Sequence, residues 1–245
     1  LLSDLGSITY LAALNAGAAP DTLYRAATDT LIGIQRASRP GVLPAYDRVL
    51  LKRELDLFPE WYIGKHATIP FDDTRRNVLE AVFEKILAVN LAESCVFVHR
   101  DYHSRNLMID GDKPGVIDFQ DAVYGPITYD LVSLFKDAYI EWEEEQTIDW
   151  LVRYWEKARK AGLPVRADFG EFFRDYEWMG VQRHVKVLGI FARLWHRDGK
   201  DGYLKDMPLV AKHLRAACAR YAELTPLLRL LDQIENRQVQ VGYTF

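Results

Sequence analysis

Apolar residues recur at helical spacing along most of the chain. Pro20-Asp21 opens a predicted helix in which Leu23, Ala27, Leu31 and Ile34 share a face, and Arg39-Pro40-Gly41 closes it. Asp72-Asp73-Thr74 begins a second, with Val78, Val82 (or Ala81), Phe83 and Ile86 inward. A third runs from about Ile148 to Lys160 and stops at Gly162-Leu163-Pro164. Trp178, Val181, Val185, Leu188, Ala192 and Trp195 are spaced 3, 4, 3, 4, 3 in an unbroken stripe. Much of the remaining surface of that segment is also apolar, which predicts a central helix rather than a peripheral one.

Between residues 96 and 119 the pattern changes to short apolar runs: Val96-Phe97-Val98, then Asn106-Leu107-Met108-Ile109, then Gly115-Val116-Ile117-Asp118-Phe119. The last two are separated by the turn-forming cluster Asp110-Gly111-Asp112-Lys113-Pro114, so a β-hairpin is expected. The fold class predicted is α+β, mainly α, with a short catalytic hairpin. His99 to Arg105 forms a loop leading into it, which holds Asp101 and Asn106 at one end while Asp118 returns on the second strand. One carboxylate to accept a hydroxyl proton and two oxygen ligands for Mg²⁺ are what ATP-dependent transfer to an alcohol requires. A solvated acidic loop is the plain alternative. A transition-metal site of His99, Asp101 and His103 is another, but Tyr102 to Arg105 does not read as strand. His66, His184, His196 and His213 also lack the spacing of companion ligands.

The stretch His99-Arg100-Asp101-Tyr102-His103-Ser104-Arg105-Asn106, followed by Ile117-Asp118-Phe119 and Tyr129-Asp130-Leu131, resembles the aminoglycoside phosphotransferase and choline kinase superfamily, relatives of protein kinases. The resemblance implies ATP and Mg²⁺ as cofactors, Asp101 as catalytic residue, and Asn106 and Asp118 as metal ligands. It also implies that Asp130 braces the catalytic loop through its backbone; a helix N-cap is the other role open to Asp130. Phe97 to Met108, Val116 to Pro126, Leu55 to Tyr62 and Gln182 to Leu194 are similar to one branch, the bacterial anomeric kinases of N-acetylmuramate and N-acetylglucosamine in cell-wall recycling. The Gly-rich loop and strand Lys of such kinases have no counterpart here, and Leu1-Leu2-Ser3-Asp4-Leu5-Gly6 resembles the hinge that follows their small lobe. Residues 1–245 are therefore expected to form a kinase-like C-terminal lobe, with the N-terminal ATP-binding lobe outside this chain. Leu2 and Asp4 are candidates for backbone contacts to adenine, or else an ordinary strand end and helix entry.

Candidate substrate contacts are less sharply marked. Gln182, Lys186 and Arg193 make a polar stripe on the central helix, which either faces the sugar or consists of side chains snorkelling at the helix boundary. His103 and Arg105 lie inside the loop. Trp61 and Tyr62 could stack on a sugar ring or anchor the core. A small amino-alcohol or aminoglycoside acceptor would need an acidic pocket, for which Asp121, Glu141, Glu143, Glu144 and Glu145 are available. A catalytically silent binding module is the reading from a different class.

Composition narrows the rest. With 49% hydrophobic residues in 245, the chain has ample core for one lobe. Its 31 basic and 35 acidic residues, net −4, are interspersed and indicate no nucleic-acid partner. No window approaches the ~20 apolar residues that span a bilayer, and the first residues lack the basic flank of a signal peptide, so a cytoplasmic protein without a membrane partner is expected. Cys95 and Cys218 read as buried structural thiols. Glu141 to Gln146 reads as a solvated helix face, and residues 236–245 as an extended end.

Overall fold

The structure, a computed structural model, describes residues 4–235. The predicted helices are present as α2 (Pro20–Arg36), α4 (Asp73–Asn90), α6 (Glu144–Lys160) and α7 (Phe169–Asp198). Around them lie α1 (Tyr10–Asn15), α3 (Arg48–Leu55), α5 (Tyr129–Phe135), α8 (Met207–Arg220) and α9 (Thr225–Ile234). Their starts follow local chemistry. Asp47, Asp72 and Asp168 each accept a hydrogen bond from a backbone N–H of the first turn of α3, α4 and α7, each cap contributing about 1 kcal/mol. Val78 of α4 is 44% exposed, and its neighbour Leu79 points inward in its place.

Helix α7 is the axis of the molecule. At 30 residues it is about 45 Å long, and α3, α4, α5, α8 and the π-helix Phe58–Ala67 all pack on it. The expected stripe is buried from Trp178 to Ala192, and only Trp195 reaches solvent. The π-helix crosses α7 at Gly189, where an added Cβ would lie 2.5 Å from the carbonyl carbon of Leu57, so the crossing depends on the missing side chain. A second cluster joins α2 to α6 through Tyr24, whose ring stacks on Trp150 at 4.3 Å, while the Trp150 indole donates to Asp21 at 2.9 Å.

The predicted hairpin is β2 (Leu107–Asp110) paired antiparallel with β3 (Lys113–Val116), Leu107 opposite Val116. The strand β1 (Cys95–Val98) does not join it. It pairs antiparallel with β4 (Val123–Pro126), placing Phe97 opposite Tyr124. Cys218 is buried, but Cys95 at the start of β1 is exposed, against the sequence expectation for both thiols. The start of the described chain runs beside the hairpin: Leu5 covers Gly115, and Ile109 N–H donates to the Ile8 carbonyl at 2.9 Å. Leu2 and the tail from 236 lie outside the described residues. Among the described residues, no helix is long and apolar enough to cross a membrane.

Candidate active site

The segment from His99 to Asn106 has no regular secondary structure, so its shape is set by what holds it. Asp130, on α5, accepts from the backbone N–H of His99 at 2.7 Å and of Arg100 at 3.0 Å. Asp130 does not cap α5: Thr128 occupies that position without a side-chain bond to the helix, and the carboxylate of Asp130 holds the loop. Asp137, just beyond α5, accepts from Ser104 N–H at 3.0 Å and Ser104 Oγ at 2.5 Å. The Tyr102 hydroxyl donates to the Ala27 carbonyl of α2 at 2.8 Å, and Leu11 N–H donates to the Ser104 carbonyl at 2.9 Å. These anchors fix a strained path at Arg100, with φ +75°, and Asp118 beyond the hairpin has φ +67°, both uncommon for residues with a Cβ.

Asp101 sits in the held loop. The Asn106 amide nitrogen donates to the Asp101 carbonyl at 3.0 Å and approaches Asp118 Oδ2 at 3.4 Å, so three oxygen-bearing residues converge. Asp118 stands in the turn after β3, two residues beyond the strand end that was expected to carry it, and is exposed. Its Oδ1 accepts from Gln120 Nε2 at 2.7 Å. Asn106 Oδ1 has no hydrogen bond to any described residue, which leaves it and Asp118 as hard oxygen donors suited to Mg²⁺.

Asp101, Asn106 and Asp118 line a cleft of about 330 Å³ whose opposite side is α7. His103, Arg105 and Lys186 line it too, together with Arg183, which the sequence reading did not single out. The apolar end is made by Val187, Ile190, Phe191 and Tyr203, the last two rings 5.1 Å apart. Arg105 lies flat on Tyr139, its guanidinium carbon 3.5 Å from the ring centre, and His103 meets the same ring edge-on.

Gln182 is not part of this lining. It is fully buried, and its amide donates to Glu54 Oε2 at 3.1 Å. Arg193 lies further along α7 and does not line the cleft either. The polar stripe is thus neither wholly substrate-facing nor snorkelling. Its inner part is an ionic knot around Glu54 of α3, which takes Arg100 at 2.5 Å and Lys186 at 2.9 Å, plus the hydroxyl of Tyr46. Lys186 also donates to the Tyr129 hydroxyl at 2.9 Å. Burial opposes the charge of Glu54, but Lys186 and Arg100 outweigh it and hold the carboxyl down to about 2. The same balance applies at Asp101, where burial is overcome by Lys186, Arg183, His103 and Arg100 and the carboxyl stays below its ordinary range. His99 is pushed down by burial, in keeping with its Nδ1 accepting from Asp101 N–H at 3.3 Å.

The remaining candidates lie elsewhere. Asp4 is exposed and its carboxylate accepts from Gly6 N–H at 2.9 Å in a local turn, outside the cleft lining. Tyr62 is buried in the π-helix, stacks on Phe58 at 5.1 Å, and lines a separate cavity beside α8. The glutamates considered for an acidic pocket do not reach the cleft. Glu141 pairs with Lys212 and Glu144 with Arg220 around another cavity that Glu143 also lines.

Residues 2–169 match the sequence model of the phosphotransferase enzyme family. The N-acetylmuramate/N-acetylglucosamine kinase of Neisseria meningitidis serogroup B is 49% identical over the whole of this chain and 75% of its own length. The kinase of the same name from Pseudomonas aeruginosa is 48% identical over 96% of this chain and 69% of its own. Among solved structures, the gentamicin complex of the aminoglycoside phosphotransferase APH(2")-IIa superposes with a TM-score of 0.53 at 16% identity, covering 84% of this chain and 67% of that one, a likeness of fold. Match and identity together place the chain in the phosphotransferase enzyme family, to which it belongs.

Proposed function

We propose that the protein transfers the γ-phosphoryl of ATP to an amino sugar, N-acetylmuramate or N-acetylglucosamine, at the anomeric hydroxyl, as part of cytoplasmic cell-wall recycling. The observation that carries the reading is one cleft in which Asp101, Asn106 and Asp118 face a basic and apolar wall of α7. The names of relatives at 48–49% identity support the choice of sugar.

In this reading Asp101 orients the acceptor hydroxyl and takes its proton on a carboxylate oxygen as the hydroxyl oxygen attacks the γ-phosphorus and the bond to the bridging oxygen breaks, releasing ADP. Lys186 and Arg183 keep that carboxylate ionised and ready. A hemiacetal hydroxyl is more acidic than a simple alcohol, so the base has less to do at the anomeric position. Asn106 and Asp118 would hold Mg²⁺, which when bound neutralises charge on the phosphate oxygens. Val187, Ile190 and Phe191 exclude water from the acceptor side, and the anchored loop keeps Asp101 in place without reorganisation.

An aminoglycoside or amino-alcohol acceptor fits this cleft less well, because the glutamates that a polycation would need are already paired at another cavity. Steady-state assay of the full-length protein with MgATP and a panel of amino sugars, aminoglycosides and amino alcohols tests the reading. Turnover confined to the two N-acetylated sugars supports it, and turnover only with amines would replace it.

A further inference from the structure

Arg183 is 4% exposed, yet it makes no hydrogen bond or ion pair with any described residue. Its nearest organised neighbour is the ring of Tyr129, 5.8 Å from the guanidinium carbon. The acidic groups around it are committed elsewhere. Glu54 is bound to Arg100 and Lys186, Asp130 to the backbone of the loop, and Asp137 to Ser104 and to Tyr139 N–H. Asp206 lies 3.9 Å from Arg105. Burial opposes the Arg183 charge, and Tyr129, Asp101 and Asp137 outweigh it from a distance, no carboxylate of the described residues forming an ion pair with it.

A buried guanidinium whose N–H donors meet no acceptor in the fold is completed by an acceptor from outside it. Guanidinium offers five N–H donors in a planar fork, the geometry that a carboxylate matches with two parallel hydrogen bonds. The position of Arg183 says where that carboxylate comes from. It stands on the α7 wall, one turn before Lys186 and Val187 and two before Ile190, whereas the oxygen donors suited to Mg²⁺ lie on the opposing loop and hairpin. A ligand resting on Val187 and Ile190 with an acidic substituent toward Arg183 would use both ends of that face.

We propose that Arg183 recognises a carboxylate carried by the acceptor, so that the cleft favours an acidic amino sugar over a neutral one by an ion pair. The proposal rests on the acceptor reading above and adds the residue that discriminates between the two sugars. N-Acetylmuramate carries such a carboxylate and N-acetylglucosamine does not.

The test compares both acceptors with saturating MgATP in the full-length enzyme and in its Arg183→Gln and Arg183→Lys variants. Arg183→Gln should lower the ratio of kcat/KM for N-acetylmuramate over N-acetylglucosamine by about ten- to hundredfold, mainly through KM for the acid. Arg183→Lys, which keeps a point charge and loses the fork, should give an intermediate ratio. An arm that needs no variant uses the methyl ester of N-acetylmuramate with the wild-type enzyme, where KM should rise by a similar factor. An unchanged ratio in Arg183→Gln, or an ester as good as the acid, overturns the proposal. Loss of kcat on both sugars with their ratio unchanged would limit Arg183 to its effect on Asp101 and overturn the proposal too. Absence of turnover with either sugar would overturn the acceptor reading itself, an outcome distinct from turnover of both with an unaltered ratio.

Discussion

Asp101 is held ionised by cations on one side and held in position by a loop anchored to Asp130 and Asp137 on the other. In the proposed reaction its amide analogue would keep the shape and lose the proton acceptor. Asp101→Asn should lower kcat by on the order of a hundredfold or more while leaving KM for MgATP nearly unchanged, read by steady-state kinetics. Glu54 gives a stability prediction of definite sign. Its carboxyl is depressed in the fold, so its contribution is complete above the ordinary carboxylate range and is lost as pH falls toward about 2. A depression of this size corresponds to roughly 3 kcal/mol. Chemical denaturation of Glu54→Gln should show a loss of that order or larger at neutral pH, because Arg100 and Lys186 lose their partner, and a shallower acid dependence than wild type. The convergence of Asp101, Asn106 and Asp118 could be read from sequence because they lie in one short stretch. Glu54 could not. Its partners Arg100 and Gln182 lie 46 and 128 positions away, and nothing in Arg53-Glu54-Leu55 distinguishes a buried hub from a surface charge. Arg183 was hidden for a related reason, since a cation on a helix reads as solvated until packing shows its side chain enclosed.

At the scale of elements, periodicity sufficed where one face alone is buried, as in α2, α4 and α6, and in α7 it marked a helix buried on all sides over its middle. It failed where pairing or packing decides. The run Val123-Tyr124-Gly125-Pro126 contains Gly and Pro and becomes a strand because β1 and Tyr46 lie against it: Tyr46 N–H donates to the Tyr124 carbonyl at 2.8 Å. The π-helix at Phe58–Ala67 follows neither a strand nor an α-helical period, so the element had no signature, although Tyr62 is buried as a core anchor would be. The same element makes Gly189 indispensable. Gly189→Ala would push a methyl into the backbone of Leu57, which cannot swing away as a side-chain tip could. A loss of about 1–3 kcal/mol follows from such overpacking, seen as a thermal midpoint lowered by several degrees. An unchanged midpoint would show that the crossing has slack.

For the whole molecule, α7 unites stability and chemistry. One side of the helix is the core of the fold, and the adjoining side, through Arg183, Lys186 and Ile190, is the wall against which the acceptor is proposed to rest. The loop that carries Asp101 hangs between this wall and the hairpin, tied to α2 by Tyr102 and to the region of α5 by Asp130 and Asp137. That arrangement supports the proposal of phosphoryl transfer at a basic, partly apolar cleft, whose central claim is that the acceptor oxygen is the anomeric one. The most direct measurement is ³¹P NMR of the product formed by the full-length enzyme from MgATP and N-acetylmuramate. The account predicts a sugar 1-phosphate, with phosphorus coupled to the anomeric proton and the signal absent from the Asp101→Asn reaction over the same time. A product whose phosphorus couples to a ring or exocyclic proton, or undiminished product from Asp101→Asn, would contradict it.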